Sequence, residues 1–193
     1  MESLKDISEA SNTATGMLDI FSNIKYDTLR RNSKRSIQWM INKLKNASNV
    51  PGLSRNTPKI GGMYIYVYDA KFKNKLPFWD SNPLVIPVQF SGNGFMGLNF
   101  HYLPLEHRKI LLNTLTGMSS NNSKKYIVMS YGKLKALSST IWKFAFKRYL
   151  YSHLRTKLIA VERDEWYDAI TLPIANFQKA TNSKVFSTFK KSF

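Results

Sequence analysis

The chain contains no cysteine. That excludes disulfides, thiolate-bound zinc, iron–sulfur clusters and thiol nucleophiles together, and with them a disulfide-stapled secreted module. Acidic residues are scarce: 12 Asp and Glu stand against 29 Lys and Arg in 193 residues, a net charge of +17. Long apolar runs are missing too. The longest, such as residues 63–68, fall far short of the roughly 20 residues that span a bilayer. Residues 1–20 carry Glu2, Asp6, Glu9 and Asp19 against the single Lys5, so they lack the basic start and apolar stretch of a signal peptide. The expectation is a protein of a cytosol-like compartment with no membrane partner. No repeat of 20–50 residues is visible, which argues against solenoids and propellers.

What is present is a core and an uneven charge. Apolar residues make up 43% of the chain, enough to fold one domain of this length. Residues 1–58 carry net +4, residues 59–120 net +3 and residues 121–193 net +10. A potential of this sign and size points to a polyanion: nucleic acid, an anionic membrane or an acidic protein.

Residues 1–20 read as a polar arm. Ile37, Met40, Ile41 and Leu44 recur at helical spacing, which predicts a basic helix over residues 25–45 carrying Arg30, Arg31, Lys34 and Arg35. Pro51, Gly52, Pro58, Gly61 and Gly62 mark residues 46–62 as a linker or long loop. Residues 63–68, 84–90 and 95–102 read as strands. In the first, both alternate sets of side chains are apolar or aromatic, so neither face need be bare. Pro87 cannot donate to a ladder, so the second strand is expected at an edge or with a bulge. Residues 91–94 form a turn. Pro104 suits the first turn of a helix that runs to Gly117. A short helix is expected over 133–137, and the clearest helix of the chain over 139–158. A fourth strand is expected at 159–161, followed by a short helix through Ile170 capped by Asp164 and ended by Pro173.

Few residues suit chemistry. His101, His107 and His153 do not have the spacing of a metal pair. His101 reads as a hydrogen-bonded structural residue of a strand, and Asp80 as a turn cap before Pro83. A metal-dependent nuclease would need Asp69, Asp80 and His101 to converge at a sheet end. Gly92, Gly94 and Gly97 spell G-x-G-x-x-G, but the match runs into a strand rather than a helix, so it is a hairpin turn plus a strand glycine, not a dinucleotide site. No Walker A, nucleophile-elbow or kinase motif is present. The residues therefore assign no catalytic group, metal or cofactor. The strongest physical signal is the expected helix after Trp142. No acid lies between Lys124 and Val161. Within it Lys143, Lys147, Arg148, Arg155 and Lys157 interleave with Trp142, Phe144, Phe146, Tyr149 and Tyr151. Such a surface can hold phosphates by charge and single strands by stacking. The plainer alternative is a half-buried helix with a solvated basic face.

Three stretches resemble a known family. They are residues 63–88 (MYIYVYDAKFKNKLPFWDSNPLVIPV), residues 94–115 (GFMGLNFHYLPLEHRKILLNTL) and residues 143–177 (KFAFKRYLYSHLRTKLIAVERDEWYDAITLPIANF). Together they resemble the DNA end protector, or terminal DNA protecting, head-completion proteins of T4-like tailed phages. The resemblance runs from about residue 61 to 184 and leaves residues 1–60 outside it. It implies a minor virion protein of the head and neck, or portal, region that associates with double-stranded DNA ends and shields them from host exonucleases. It carries over no catalytic or binding residues. Asp69, Leu76, Pro77, Trp79, Asp80, Pro83, Leu98, Asn99, His101, Tyr102, Leu103 and Pro104, which carry the motifs, read as structural.

The expected fold is α+β: a small antiparallel sheet or partly open barrel at about residues 63–102, packed with several helices, plus the N-terminal basic helix. Residues 1–60 are expected as an arm and docking segment, residues 61–193 as the core. The expected function is a non-enzymatic phage virion protein that binds DNA ends. The expected partners are DNA ends and head, neck or portal proteins, with a homo-oligomer in the virion left open. The alternative is a structural connector, tail or baseplate subunit whose basic surface meets an acidic neighbour. The expected nucleic-acid residues are Lys143, Lys147, Arg148, Arg155 and Lys157, then Arg30, Arg31, Lys34 and Arg35.

Overall fold

Alternating side chains in residues 63–65 and 84–99 put two apolar faces on one set of strands, and the architecture follows from covering both. A computed structural model describes residues 38–39, 42–43, 54–117 and 142–190. The strands are β1 (Ser54–Arg55), β2 (Met63–Ile65), β4 (Leu84–Ser91), β5 (Gly94–Asn99), β6 (Phe146–Leu150) and β7 (Leu158–Val161). They form one antiparallel sheet in the order β1-β7-β2-β4-β5-β6. A separate two-stranded ribbon pairs β3 (Trp79–Asp80) with β8 (Phe177–Gln178). The helices are α1 (Leu105–Gly117), α2 (Trp166–Thr171) and α3 (Asn182–Lys190).

One face of the sheet presents Met63, Ile65, Leu84, Ile86, Leu98, Ile159 and Val161. They pack with Leu111, Leu112 and Leu115 of α1, Trp166, Ala169 and Ile170 of α2 and Phe189 of α3. The opposite face presents Tyr64, Tyr66, Tyr68, Val85, Phe95, Tyr149, Leu158 and Ala160. Tyr66 meets Tyr149 edge-on at 5.5 Å between centroids, and Tyr149 stacks on Phe95 at 5.4 Å, the arrangements that ring quadrupoles favour. Period-two alternation thus separates an aliphatic face under the helices from an aromatic one.

The class is the expected α+β. The sheet is open, not a closed barrel, and it extends beyond residues 63–102 to recruit β1, β6 and β7. Ser54 and Arg55, expected in a linker, pair with Ile159 and Leu158. Residues 158–161 are a strand, as expected. Pro87 sits at a bulge: the β4–β5 register shifts between Pro87 and Gln89, which accommodates the missing N–H inside the sheet. The hairpin turns at Gly92, whose φ is +55°, a conformation that favours glycine. The third expected strand ends at Asn99, and residues 100–102 form a 3-10 turn, so His101 leaves the sheet. Pro104 lies just before α1, and its carbonyl accepts from the Arg108 N–H at 3.0 Å. Asp164 lies in a 3-10 turn, Arg163–Glu165, that leads into α2, and does not cap it.

The largest correction concerns residues 139–158. The described part, 142–158, is a 3-10 turn (Trp142–Phe144), the strand β6 and a second 3-10 turn (Tyr151–His153), not a helix. Gly97 makes part of the surrounding sheet possible. A Cβ there would lie 2.3 Å from Val85 Cγ1. Gly97→Ala is therefore expected to cost about 1–3 kcal/mol through overpacking, read as a lower urea midpoint at unchanged m-value.

The expected helix at 133–137 and most of that at 25–45, including Arg30, Arg31, Lys34 and Arg35, lie outside the described residues. Gln38, Trp39, Asn42 and Lys43 are helical. Trp39 packs on the aliphatic core, and Lys43 pairs with Glu165.

Candidate nucleic-acid interface

The two most distinctive strings of the sequence, around Trp79-Asp80 and around Asn99–Tyr102, meet in space. Asp80 is 3% exposed and accepts hydrogen bonds on both oxygens. Oδ1 takes the N–H of Asn82 at 3.0 Å and of Asn176 at 3.3 Å. Oδ2 takes Asn99 Nδ2 at 3.0 Å and His101 Nδ1 at 2.8 Å. Asn99 Nδ2 also donates to the Tyr149 hydroxyl at 3.0 Å, and Asn99 Oδ1 accepts from the His101 N–H. Burial alone would raise the Asp80 carboxyl, but the charge and hydrogen bond of His101, with Asn99 and the Asn82 amide, bring it below its ordinary value. Burial pushes His101 down, more than Asp80 lifts it, and since an ionised carboxylate can only accept, Nδ1–H is the donor of the bond to Oδ2. This network holds the ribbon β3–β8 against the end of β5. His101 and Asp80 thus have the structural character expected of them.

Asp69 does not join them. It accepts from Arg155 at 2.7 Å and from Lys73 at 3.2 Å, and those two cations hold its carboxyl below the usual range. The Asp69, Asp80 and His101 constellation considered for a nuclease therefore does not assemble. Among the described residues no group of three or more His, Asp and Glu side chains could hold a metal ion.

Above the network a cleft of ≈ 610 Å³ opens between the loop at residues 70–78, β6 and α3. Its lining combines Phe72, Phe78, Trp79, Tyr102, Phe144 and Tyr149 with three cations, Lys71, Lys147 and Arg148. Asp80 is the carboxylate at its base, already saturated by its own donors. Lys147 is the most unusual of the three. It shares its side of β6 with Tyr149, and its Nζ lies 4.2 Å from the Tyr102 ring centroid and 5.7 Å from that of Phe144. Burial pushes its ammonium down to about 8, since no carboxylate among the described residues compensates for the water it has lost. Arg148, on the other side of the strand, is exposed and reaches Asn93 Oδ1 at 3.4 Å.

The loop is held from the C-terminal side. Lys179, at φ 65°, donates from Nζ to the Lys73 carbonyl at 2.6 Å and lies 5.6 Å from the Trp79 ring centroid. Lys71 lies 5.4 Å from the ring centroid of Phe72, which is 58% exposed.

Of the residues expected to contact a polyanion, Lys147 and Arg148 therefore line one cleft. Lys143 is exposed in the turn before β6, Arg155 is paired with Asp69, and Lys157 is half-buried just before β7. None of these three lines the cleft, and they do not share a helical face because the helix does not exist. Lys71 and Phe72 escaped the sequence reading, and Trp79 was read only as structural. The signal was nonetheless there: Lys71-Phe72-Lys73-Asn74-Lys75 interleaves cations with an aromatic ring, the composition of a nucleic-acid-binding loop.

The family model for the phage T4 terminal DNA protecting protein matches residues 18–191. The chain belongs to that family. The match is longer than the resemblance read from the sequence and takes in most of residues 1–60, which had been left outside it. Membership supports DNA end protection as the general function and a phage origin. No curated protein and no solved structure matches the chain. No helix among the described residues is long and apolar enough to cross a membrane.

Lys147 has a pH signature. Its pKa is about 8 in the fold against an ordinary 10.5, so between these values the unfolded chain binds more protons than the folded one. Stability contributed at this site therefore rises with pH across that window. The difference in unfolding free energy between wild type and Lys147→Gln is expected to move in favour of wild type between pH 8 and pH 10.5. Urea titrations at half-unit pH steps would show it, and a flat difference would contradict the burial of the ammonium.

Proposed function

We propose that the protein binds the ends of packaged linear double-stranded DNA, as a non-enzymatic virion protein of the head and neck region, and shields them from host exonucleases in the host cytoplasm after injection. The mechanism is occlusion. Cations neutralise terminal phosphates, aromatic side chains contact the end, and the bound mass blocks exonuclease loading. The observation that carries the reading is the cleft, where Lys71, Lys147 and Arg148 meet an aromatic wall and the one carboxylate among the described lining residues is already bonded. Lys143, Arg155 and Lys157 supply further phosphate contacts, as do Arg30, Arg31, Lys34 and Arg35.

Head, neck or portal proteins are the second class of partner. Leu105, Ile110 and Tyr167 are 41%, 49% and 51% exposed on α1 and α2, and apolar groups of this kind suit a protein neighbour. Residues 1–60 serve as the docking segment on the core of residues 61–193, which they join through Trp39 and through Ser54 and Arg55 in the sheet. If such a neighbour is acidic, the chain is a connector, tail or baseplate subunit that needs no DNA contact. Affinity for linear and covalently closed circular duplex of equal length separates the readings. End binding predicts tighter binding to the linear form, with log K falling against log salt by about 0.9 per phosphate contacted. Equal affinity for the two forms would refute the end preference.

A further inference from the structure

The cleft is too small for a duplex and well suited to something smaller. Its ≈ 610 Å³ lies within the range of about 300–1,000 Å³ typical of sites for small organic ligands. A B-form duplex, whose major groove alone is about 12 Å wide, cannot enter it, whereas one unstacked nucleotide can. Two cation–ring pairs line the space, Lys71 with Phe72 and Lys147 with Tyr102. Each ammonium therefore lies within reach of the space above a ring, so a stacked base and its own phosphate can be met together. Lys147 is the half-buried one and has no carboxylate partner among the described residues, which leaves it the cation with most to gain from a phosphate. Phe72 is the exposed ring and can offer a face to a base without unfolding anything.

We propose that this cleft receives a single unpaired nucleotide at the DNA terminus, its base against Phe72 and the neighbouring aromatic wall and its phosphate against Lys147. The proposal rests on the end-binding function above and specifies what is recognised there: a frayed or overhanging nucleotide, not the duplex face. The exposed Lys71 and Arg148, with basic residues outside the cleft, then hold the duplex phosphates, and the inner part of the cleft supplies the discrimination between an end and an interior.

The test uses the full chain and a duplex closed by a hairpin at one end. The other end carries an intact three-nucleotide overhang, the same overhang with an abasic terminal position, or a second hairpin. Fluorescence anisotropy at fixed salt reads the affinities. The expected result is binding about tenfold tighter to the intact overhang than to the abasic or closed forms, the size that stacking of one base supplies. Lys147→Gln and Phe72→Ala are expected to abolish that advantage, and Phe72→Ala, which removes no charge and lies at an exposed loop position, leaves affinity for the closed duplex within about twofold. If both variants keep the advantage, end binding stands and the cleft assignment fails. If wild type does not distinguish open from closed DNA, both fail. Free 2′-deoxyadenosine 5′-monophosphate should compete only at concentrations far above those of the overhang. Tighter binding of the free nucleotide would make the cleft a metabolite site and overturn the proposal.

Discussion

Asp80→Ala is expected to destabilise the fold by about 3–5 kcal/mol, the range for breaking a buried charged network by removing one partner. The carboxylate joins four donors from three separate parts of the chain: the Asn82 amide, Asn99 and His101, and the Asn176 amide. Truncation leaves them in a site where Asp80 is 3% and His101 0% exposed, and buried donors without partners cost more than the bonds themselves. The ribbon β3–β8 should loosen first, since Asp80 is one of its two strand positions on that side. Urea denaturation reads the loss, and hydrogen exchange at Asn82 and Asn176 locates it. The same carboxyl carries a pH dependence. Its folded pKa lies below its ordinary value of 3.8, so its contribution is complete above that value and is lost as pH falls through the lower, folded one. A destabilisation below 1 kcal/mol would show that the network is incidental.

Replacing Lys71, Lys147 and Arg148 together by glutamine is expected to weaken binding to linear duplex by at least tenfold at moderate salt. It should also reduce the salt slope by about three, one for each phosphate contact removed. The fold should survive. Lys71 and Arg148 are exposed, and Lys147 gives up a desolvated charge with no ion pair among the described residues to break. A slope unchanged by the triple substitution would move the phosphate contacts elsewhere on the surface, to Lys143, Lys157 or the N-terminal basic cluster.

How far the sequence speaks for this molecule is clearest at residues 142–158. Phe144, Ala145, Tyr149 and Leu154 imitate a helical stripe, yet Phe146–Leu150 is the edge strand of the sheet. The same five residues also alternate. Tyr149 belongs to the aromatic cluster on one face, and Phe146 packs against the aliphatic core on the other. A short aromatic run satisfies both periods, and what decides is a partner about fifty residues away: Phe95 pairs with Tyr149 and Gly97 with Lys147. Such tertiary pairing overrides local propensity. Pro87, Gly92 and Gly117, whose backbone constraints are local, were legible and fell close to where they were expected.

The cleft shows the same division. The excess of cations and their concentration after residue 120 were legible from composition, and Lys147 and Arg148 were singled out for it. Their meeting with Lys71, Phe72 and Trp79 was not, because a loop at residues 70–78 and a strand at 146–150 are joined only through the fold. Asp80 and His101 were legible as structural residues one at a time. That each is the other's partner, and that this bond ties together the two strings that carry the family resemblance, emerges only when β5 has turned the chain back over β3.

The central claim is that the basic aromatic cleft guards a DNA end. The most direct measurement is the rate at which a processive exonuclease degrades an end-labelled linear duplex, with no protein, with wild type and with the Lys71, Lys147 and Arg148 triple glutamine variant. Wild type is expected to slow degradation from its bound ends by an order of magnitude or more, and the triple variant, folded and at the same concentration, is expected not to. Equal protection by wild type and variant would contradict it.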